Sequence, residues 1–215
     1  MGKSNIIIVL LLLFGQICFG QLDWTLKSNK DGVSIYTKTV SQSGLKGIRV
    51  KCVIPATLSQ MVALIMDVNA GEEWVYGTKS SVLLKQLSPS ELFYYSEVDI
   101  PWPISNRDFI AHLMVSQNPR TKVVTINGPT EPNYLPLKKN IVRVAHSAGT
   151  WVLTPIKNNM VYIDYTLEVD PGGAVPVWLV NLFATNGPME TFKKMKKQIQ
   201  KPEYVNASFT FIDNN

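Results

Sequence analysis

Hydrophobic and polar residues alternate along most of the chain between residues 33 and 169. The alternating runs are rich in β-branched and aromatic residues and are separated by short polar turns, as is typical of sequential strands in an antiparallel sheet. The predicted strands are 33–39, 45–54, 82–86, 92–100, 107–117, 123–127, 141–146, 149–155 and 160–169. The segment 128–140 carries three prolines and no periodicity, so a loop is expected there.

The pattern changes to a helical period in a short segment that follows Thr57. Thr57 is a favourable N-cap, and hydrophobic residues then recur at helical spacing until Asn69-Ala70-Gly71. This spacing predicts a helix over 58–68.

A longer helical pattern occupies 175–199, near the C-terminus. Its hydrophobic stripe consists of Trp178, Leu182, Met189, Phe192, Met195 and Ile199. Lysines fall largely outside this stripe, so the predicted helix is amphipathic. Gly187-Pro188 interrupts the pattern, and a bend is expected there because proline lacks a backbone N–H.

Together these elements predict an α+β fold in which the C-terminal helix lies across the concave face of a curved antiparallel sheet. Such a sheet encloses a cavity when its hydrophobic face is larger than the helix alone can cover. Neither a linker nor a repeat divides residues 21–215. We therefore expect this region to form one domain.

Arg107 is the unusual residue of the strand pattern. The residues that share its strand face are Phe109, Ala111, Leu113 and Val115. Because side chains alternate across a strand, Arg107 is expected to point inward with them. A guanidinium there suits a phosphate or carboxylate ligand, or else forms an internal salt bridge. The candidate acidic partners are Glu91, Glu97 and Asp99, and alternation favours a solvent-facing position for Glu97 and Asp99.

The N-terminus has the pattern of a secretory signal peptide. Lys3 precedes an apolar run from Ile6 to Phe14, and Gly20 is a small residue at the expected cleavage point. The run is too short to span a bilayer, which takes about 20 residues. The sequence thus predicts a signal peptide over 1–20 and export to the periplasm or the extracellular space. Cys52 is the one remaining cysteine after cleavage, and its alternating hydrophobic context favours a buried, inert thiol.

Charge and motifs exclude several classes of function. The net charge is +5, but there is no long basic block with interleaved aromatic residues, so a nucleic-acid partner is not expected. A lysine cluster is formed by Lys193, Lys194, Lys196 and Lys197, with Lys201 just beyond. This cluster is either a solvated helix face or a contact with an anionic membrane. His112 and His146 have no further ligands at suitable spacing, so neither a metal site nor a cofactor is predicted.

Several separate motifs in the region 24–200 resemble the START (steroidogenic-acute-regulatory-related lipid-transfer) family. They are Tyr94-Tyr95-Ser96-Glu97-Val98-Asp99, Pro101-Trp102-Pro103, Ser105-Asn106-Arg107-Asp108-Phe109, Ile141-Val142-Arg143-Val144, Gly149-Thr150-Trp151, Asp170-Pro171-Gly172-Gly173 and Pro176 with Trp178-Leu179-Val180-Asn181. Their order along the chain matches that of the family. Any one of them alone would be a weak signal, whereas the combination is specific.

The resemblance implies a helix-grip fold with an internal hydrophobic tunnel for one lipid, a C-terminal helix that acts as a lid, and no catalysis. It also implies that Arg107 lies in the tunnel and, in phosphatidylcholine-binding members, meets the lipid phosphate. The candidate ligand-binding residues are Arg107, Phe109, Leu113, Trp151, Leu153, Ile163, Tyr165, Asn181, Met189, Phe192 and Met195. For the hydrophobic members of this set, periodicity alone favours an ordinary core, and it is the family resemblance that favours tunnel lining for some of them.

The resulting hypothesis is an exported lipid-binding protein that holds one apolar or amphipathic lipid for transfer, buffering or sensing. The alternative is an enzyme that acts on a small hydrophobic substrate in the same cavity, with Arg107, Tyr165 and Glu97 as the groups available for chemistry. No Gly-x-Ser-x-Gly elbow, phosphate-binding glycine loop or Cys–His pair supports that alternative.

Overall fold

The computed structural model describes residues 24–39, 46–173 and 175–214. The predicted signal peptide lies outside these residues. The strands are β1 Thr25–Lys30, β2 Val33–Thr39, β3 Lys46–Pro55, β4 Thr78–Ser88, β5 Glu91–Val98, β6 Arg107–Gln117, β7 Val124–Pro129, β8 Val142–Arg143, β9 His146–Ile156 and β10 Met160–Asp170. The helices are α1 Leu58–Met66, α2 Gly71–Trp74, α3 Val177–Asn181, α4 Gly187–Gln198 and α5 Pro202–Val205. A 3₁₀ turn, Val68–Ala70, joins α1 to α2, and a π-helical turn, Leu182–Asn186, joins α3 to α4.

The strands form one sheet in the order β1-β2-β3-β10-β9-β7-β6-β5-β4, and β8 pairs with β6. Neighbours along this order are antiparallel, while β8 runs parallel to β6. The helices α1 and α4 contribute buried hydrophobic residues to the same core as the sheet. The predicted α+β fold, with an antiparallel sheet and a C-terminal helix, is confirmed.

β4 is longer than predicted at both ends, and the largest differences from the sequence prediction are in β1 and β8. β1 was not predicted. Thr25–Lys30 is a mostly exposed edge strand, so its sequence lacks the alternating hydrophobic positions that mark a buried strand. The predicted strand over 141–146 is reduced to Val142–Arg143. The N–H groups of Val142 and Val144 donate to the carbonyl oxygens of Asn106, just before β6, and Asp108, on β6. This short parallel segment lies beside the first residues of β6.

The helix α1 begins where the sequence predicts. Thr57 Oγ1 accepts a hydrogen bond from the Gln60 N–H at 3.2 Å, and Gln60 Oε1 accepts one from the Thr57 N–H at 2.8 Å. This reciprocal pair is a capping box, which satisfies two backbone donors that the helix itself leaves open.

The C-terminal helical segment departs from one regular stripe. Trp178 was predicted on the buried face but is 50% exposed, whereas Leu179 is buried. The π-helical turn explains the change, because a wider turn rotates the preceding residues relative to α4. Gly187 N–H donates to Leu182 O, five residues back, immediately before Pro188, which has no N–H. The interruption predicted at Gly187-Pro188 is therefore a widened turn within a continuous helical segment.

Among the described residues, no helix is long and apolar enough to cross a membrane.

Candidate functional site

A cavity of about 380 Å³ lies between the sheet and the C-terminal helical segment. The sheet contributes residues from β3 to β7, β9 and β10, and the remaining residues come from α1 to α4, the two turns that join these helices and the neighbouring loops. Most of the wall is hydrophobic because the inward faces of the strands carry the apolar half of each alternating pattern. The volume lies within the range of about 300–1,000 Å³ that is usual for small-molecule sites.

Six of the eleven predicted site residues lie on the wall of this cavity. They are Arg107, Phe109, Leu113, Trp151, Tyr165 and Phe192. β6 supplies the first three from alternate positions, as its pattern predicts. β9 and β10 supply Trp151 and Tyr165, which are directly paired across the two strands. Phe192 faces them from α4.

The other five predicted residues are not on the wall. Leu153, Ile163 and Met195 are fully buried in the core and do not line the cavity. Met189 is partly buried and packs against the same core. Asn181 is exposed to solvent on α3, because the inward position of that turn is taken by Leu179. The sequence thus predicted the inward direction of most of these side chains. An inward side chain does not necessarily line the cavity, because part of the inward face is covered by the core.

Aromatic contacts connect α4 to the sheet. The ring centroids of Trp151 and Tyr165 are 4.2 Å apart, and the ring of Phe192 on α4 lies 5.7 Å from Trp151 and 6.2 Å from Tyr165. Tyr94 and Phe109 meet edge to face at 5.7 Å on neighbouring strands. Burial raises the pKa of Tyr94 to about 12 and also raises the pKa of Tyr165. Both phenols are therefore neutral at physiological pH and available as hydrogen-bond donors on the wall.

The side chain of Arg107 points inward, as strand alternation predicts, and forms part of the cavity wall. It is 6% exposed. Its Nε donates to Pro171 O at 3.2 Å, its Nη2 to Gly172 O at 3.0 Å and its Nη1 to Ser105 O at 2.6 Å. No salt bridge joins Arg107 to an acidic side chain within the described ranges, so the alternative of an internal ion pair is not found there. Burial lowers the pKa of Arg107, and two of its five N–H groups have no partner in these contacts.

Glu91 and Glu97, two of the acids considered as partners of Arg107, have other partners, and Asp99 is exposed. Glu97 accepts from Lys79 Nζ at 2.9 Å and Asn106 Nδ2 at 2.8 Å. It is only 8% exposed, although the strand pattern favoured a solvent-facing position. Lys79 and Asn106 cover it on the face of β5 opposite to the cavity. Glu91 Oε1 lies 2.7 Å from His112 Nε2.

A buried ion pair that the sequence did not reveal lies beside Arg107. Asp108 accepts from Arg143 Nε at 2.7 Å and from Arg143 Nη2 at 3.1 Å, and both side chains are almost completely buried. Arg143 also donates to the carbonyl groups of Pro132 and Leu135, which anchors the loop before β8. This pair therefore holds the start of β6 and the proline-rich loop together.

Sequence reasoning missed Trp74 as a wall residue. It ends α2, lines the cavity and is 5% exposed. Its Nε1 is buried and has no hydrogen-bond partner among the described residues. No periodic pattern continues past the helix stop at Asn69-Ala70-Gly71, so the sequence had no signal for the face on which Trp74 lies.

Clusters of His, Cys, Asp and Glu suited to a metal ion are absent from the part of the chain that the structure describes. Burial raises the pKa of Cys52 to about 12, so this thiol is neutral within the core.

Comparison with known proteins identifies the family. The family model described as START domain matches residues 11–204. An uncharacterised protein of Pseudomonas aeruginosa is 31% identical over 179 residues, which are 83% of this chain and 88% of that protein. Phosphatidylcholine transfer protein of Bos taurus is 27% identical over 187 residues, which are 82% of this chain and 84% of that protein.

The solved structures agree with this match. The crystal structure of a STAR-related lipid transfer protein fragment from Xanthomonas axonopodis superposes with a TM-score of 0.75 at 30% identity, covering 83% of this chain and 99% of that one. The family resemblance seen in the sequence motifs is confirmed, and the chain belongs to the START domain family.

Proposed function

We propose that this protein is an exported carrier that encloses one apolar or amphipathic lipid in the cavity beneath α3 and α4. The observation that carries the proposal is the mostly hydrophobic cavity of about 380 Å³ between the sheet and these helices. Burial of hydrocarbon contributes roughly 0.8 kcal/mol per CH₂ group, so an acyl chain supplies most of the affinity. The names of the bovine and Xanthomonas relatives, which refer to lipid transfer, support the same function.

Arg107 is the proposed contact for an anionic headgroup. Its guanidinium is buried without an acidic partner among the described residues, and three backbone carbonyls hold it in place. A phosphate or carboxylate would complete its coordination through the two remaining N–H groups. The carbonyl contacts fix the direction of the guanidinium before the ligand arrives.

Lipid exchange requires the lid to move, since the cavity lies behind α3 and α4. Leu179 and Phe183 extend from the lid into the wall. Arg107 holds Pro171 and Gly172, just before α3. We place the hinge of the lid after this anchored loop, because the loop stays attached to β6 while the helices that follow it move.

The lysine cluster is the proposed contact with an anionic membrane. Lys193, Lys194 and Lys197 are exposed on α4. Lys196 donates to Asp31 O, Lys201 pairs with Glu73, and Lys193 Nζ lies 3.8 Å from Glu190 Oε1 on the exposed surface of α4. Each basic residue near an anionic surface contributes about 1 kcal/mol.

Export rests on the N-terminal sequence. We propose that residues 1–20 are a signal peptide and that residues 21–215 form the lipid-binding domain in the periplasm or extracellular space. N-terminal sequencing of the protein secreted by its natural host tests this, with Gln21 as the expected first residue. An intact N-terminus on protein recovered from the cytoplasm would contradict it.

An enzymatic function is less well supported by the arrangement of the side chains. Arg107 and Tyr165 line the cavity, but Glu97 lies on the opposite face of β5 with Lys79 and Asn106. The three groups considered for chemistry are therefore not brought together.

Native mass spectrometry of the protein purified from its natural host tests the carrier function. We expect one unmodified lipid per chain, and we expect the purified protein to move that lipid between donor and acceptor vesicles. Absence of any bound lipid would contradict the proposal. Conversion of the lipid to a product during incubation would favour the enzymatic alternative.

A further inference from the structure

Two tyrosine hydroxyl groups on the cavity wall have no hydrogen-bond partner in the part of the chain that the structure describes. They belong to Tyr94 on β5 and Tyr165 on β10, which both line the cavity. Neither Oη is among the unpartnered polar atoms that are fully buried, so each oxygen keeps accessible surface. The ring of Tyr94 packs against Phe109 and the ring of Tyr165 against Trp151. Because these neighbours are themselves wall residues, the surface left to the two oxygens opens into the cavity.

The two hydroxyl groups face each other across the curved sheet. β5 and β10 are four strand spacings apart in the sheet order, which is about 19 Å along the surface of a sheet. Both side chains nevertheless extend into one cavity of about 380 Å³, and the Tyr94 phenol raises the pKa of Tyr165, an effect that requires proximity. A Cβ atom on Gly149 would lie 3.6 Å from Tyr165 Oη, so the glycine leaves open space beside this oxygen. The curvature of the sheet thus forms a tyrosine pair, Tyr94 and Tyr165, with room for a ligand group.

The surroundings of the tyrosine pair suit an uncharged ligand group. Among the described residues, no charged side chain contributes to the pKa of either phenol, so nothing there would compensate a buried ion. A phenol can donate one hydrogen bond and accept another. A ligand hydroxyl group can therefore accept from one phenol and donate to the other. A purely hydrocarbon ligand would instead bury both phenol hydroxyl groups without partners, which is unfavourable.

The tyrosine pair lies away from Arg107 along the cavity. Arg107 is the first residue of β6, and Tyr94 is directly opposite Ala111 of the same strand. Four residues along a strand span about 13 Å. A ligand whose anionic headgroup contacts Arg107 therefore meets the tyrosine pair with its hydrophobic part, well beyond the headgroup.

We propose that Tyr94 and Tyr165 bind a hydroxyl group in the hydrophobic part of the ligand and so make the cavity selective for hydroxylated over plain acyl chains. This inference rests on the proposed carrier function. It assigns the two polar regions of the wall different tasks, since Arg107 contacts the headgroup and the tyrosine pair contacts the chain.

Two fatty acids that differ only in one hydroxyl group test the proposal. Delipidated protein is incubated with equal amounts of oleic acid and ricinoleic acid, which carries a hydroxyl group at mid-chain, and the bound acids are counted by mass spectrometry. We expect the wild type to favour ricinoleic acid about three- to tenfold, the value of one hydrogen bond. α-Hydroxyoleic acid, whose hydroxyl group is next to the carboxylate, should show no such preference over oleic acid.

The double variant Tyr94→Phe with Tyr165→Phe removes both hydroxyl groups and keeps both rings. It should lose the preference, because the hydroxyl group of ricinoleic acid would then be buried without a partner. Its free energy of unfolding should not fall, since neither hydroxyl group has a partner among the described residues.

Tyr95→Phe is the matched control. Tyr95 is the next residue on β5, it does not line the cavity, and its hydroxyl group lies 3.5 Å from Glu97 Oε2. This variant removes a tyrosine hydroxyl group from the same strand without touching the tyrosine pair, so the preference for ricinoleic acid should remain.

The outcomes separate this inference from the carrier function. Equal binding of oleic and ricinoleic acid by the wild type, an equal preference for α-hydroxyoleic acid, or an unchanged preference in the double variant would overturn the inference and leave the carrier function intact. Uptake of neither acid by protein that carried another lipid when purified would also overturn the inference alone. A preparation that carried no lipid when purified and takes up neither acid would contradict the carrier function itself.

Discussion

The guanidinium of Arg107 donates to the carbonyl oxygen of Gly172 across 65 positions of the chain. This contact joins the first residue of β6 to the loop that leads into α3. One side chain therefore lines the cavity and anchors the segment before α3. Since its acceptors are carbonyl groups rather than carboxylates, the positive charge is held in place without being neutralised.

Arg107→Leu should affect both tasks of this residue. Loss of three hydrogen bonds from a charged donor is expected to lower the free energy of unfolding by about 2–4 kcal/mol, measured by denaturant unfolding. The lipids that co-purify should lose their preference for anionic headgroups, measured by mass spectrometry of the extract. Arg107→Lys keeps the charge but loses the fork of donors, so it should retain part of that preference.

An unaltered headgroup profile in Arg107→Leu, together with the fall in stability, would show that Arg107 serves the fold alone. An altered headgroup profile with no fall in stability would show that Arg107 serves lipid binding alone.

The Asp108–Arg143 pair is expected to be a strong contributor to stability. Asp108→Ala leaves a buried guanidinium without its carboxylate, and removing one partner of a buried pair typically costs about 3–5 kcal/mol. Denaturant unfolding of the variant measures this loss. The exposed pair of Glu190 and Lys193 provides the control, since Glu190→Ala should change the free energy of unfolding by at most about 0.5 kcal/mol. A loss below 1 kcal/mol in Asp108→Ala would contradict the assignment.

Replacement of Lys193, Lys194 and Lys197 with glutamine should slow lipid transfer to anionic vesicles. At about 1 kcal/mol per lysine, the expected loss of vesicle affinity is on the order of a hundredfold at low salt, measured by vesicle co-sedimentation. Transfer to neutral vesicles should change little. A triple variant at the exposed positions Lys27, Lys85 and Lys157 carries the same change of net charge and should behave like the wild type. Equal losses in the two variants would show that net charge, rather than the lysine cluster, attracts the membrane.

Glu97 should make part of the stability depend on acidity. Burial alone would raise its pKa, but hydrogen bonds from Asn106 and Lys79 outweigh burial and lower the pKa below 4.5. A carboxylate with a depressed pKa stabilises the folded state above its unfolded pKa, and this contribution is lost as the pH falls through the folded value. Glu97→Gln should therefore be less stable than the wild type at pH 7, and the two unfolding free energies should converge below pH 4.5. A difference that stays constant from pH 7 to pH 3 would show that the charge of Glu97 does not contribute.

The sequence alone determined the fold class and the direction of many side chains. The period of two along β6 placed Arg107, Phe109 and Leu113 on one inward face, because alternation depends only on the geometry of a strand. The change to a helical period marked the C-terminal segment, and Thr57 marked the start of α1. These features are local, so neighbouring residues in the chain are sufficient to reveal them.

Only the tertiary structure decided which inward residues meet the cavity. Tyr165 and Ile163 lie two positions apart on the same face of β10, yet Tyr165 lines the cavity and Ile163 is sealed in the core. The difference depends on where the helices cover the sheet. A local sequence pattern carries no information about that position. The carbonyl partners of Arg107, 64 and 65 residues away, likewise come close only after the chain has folded, because long-range packing sets which polar groups meet.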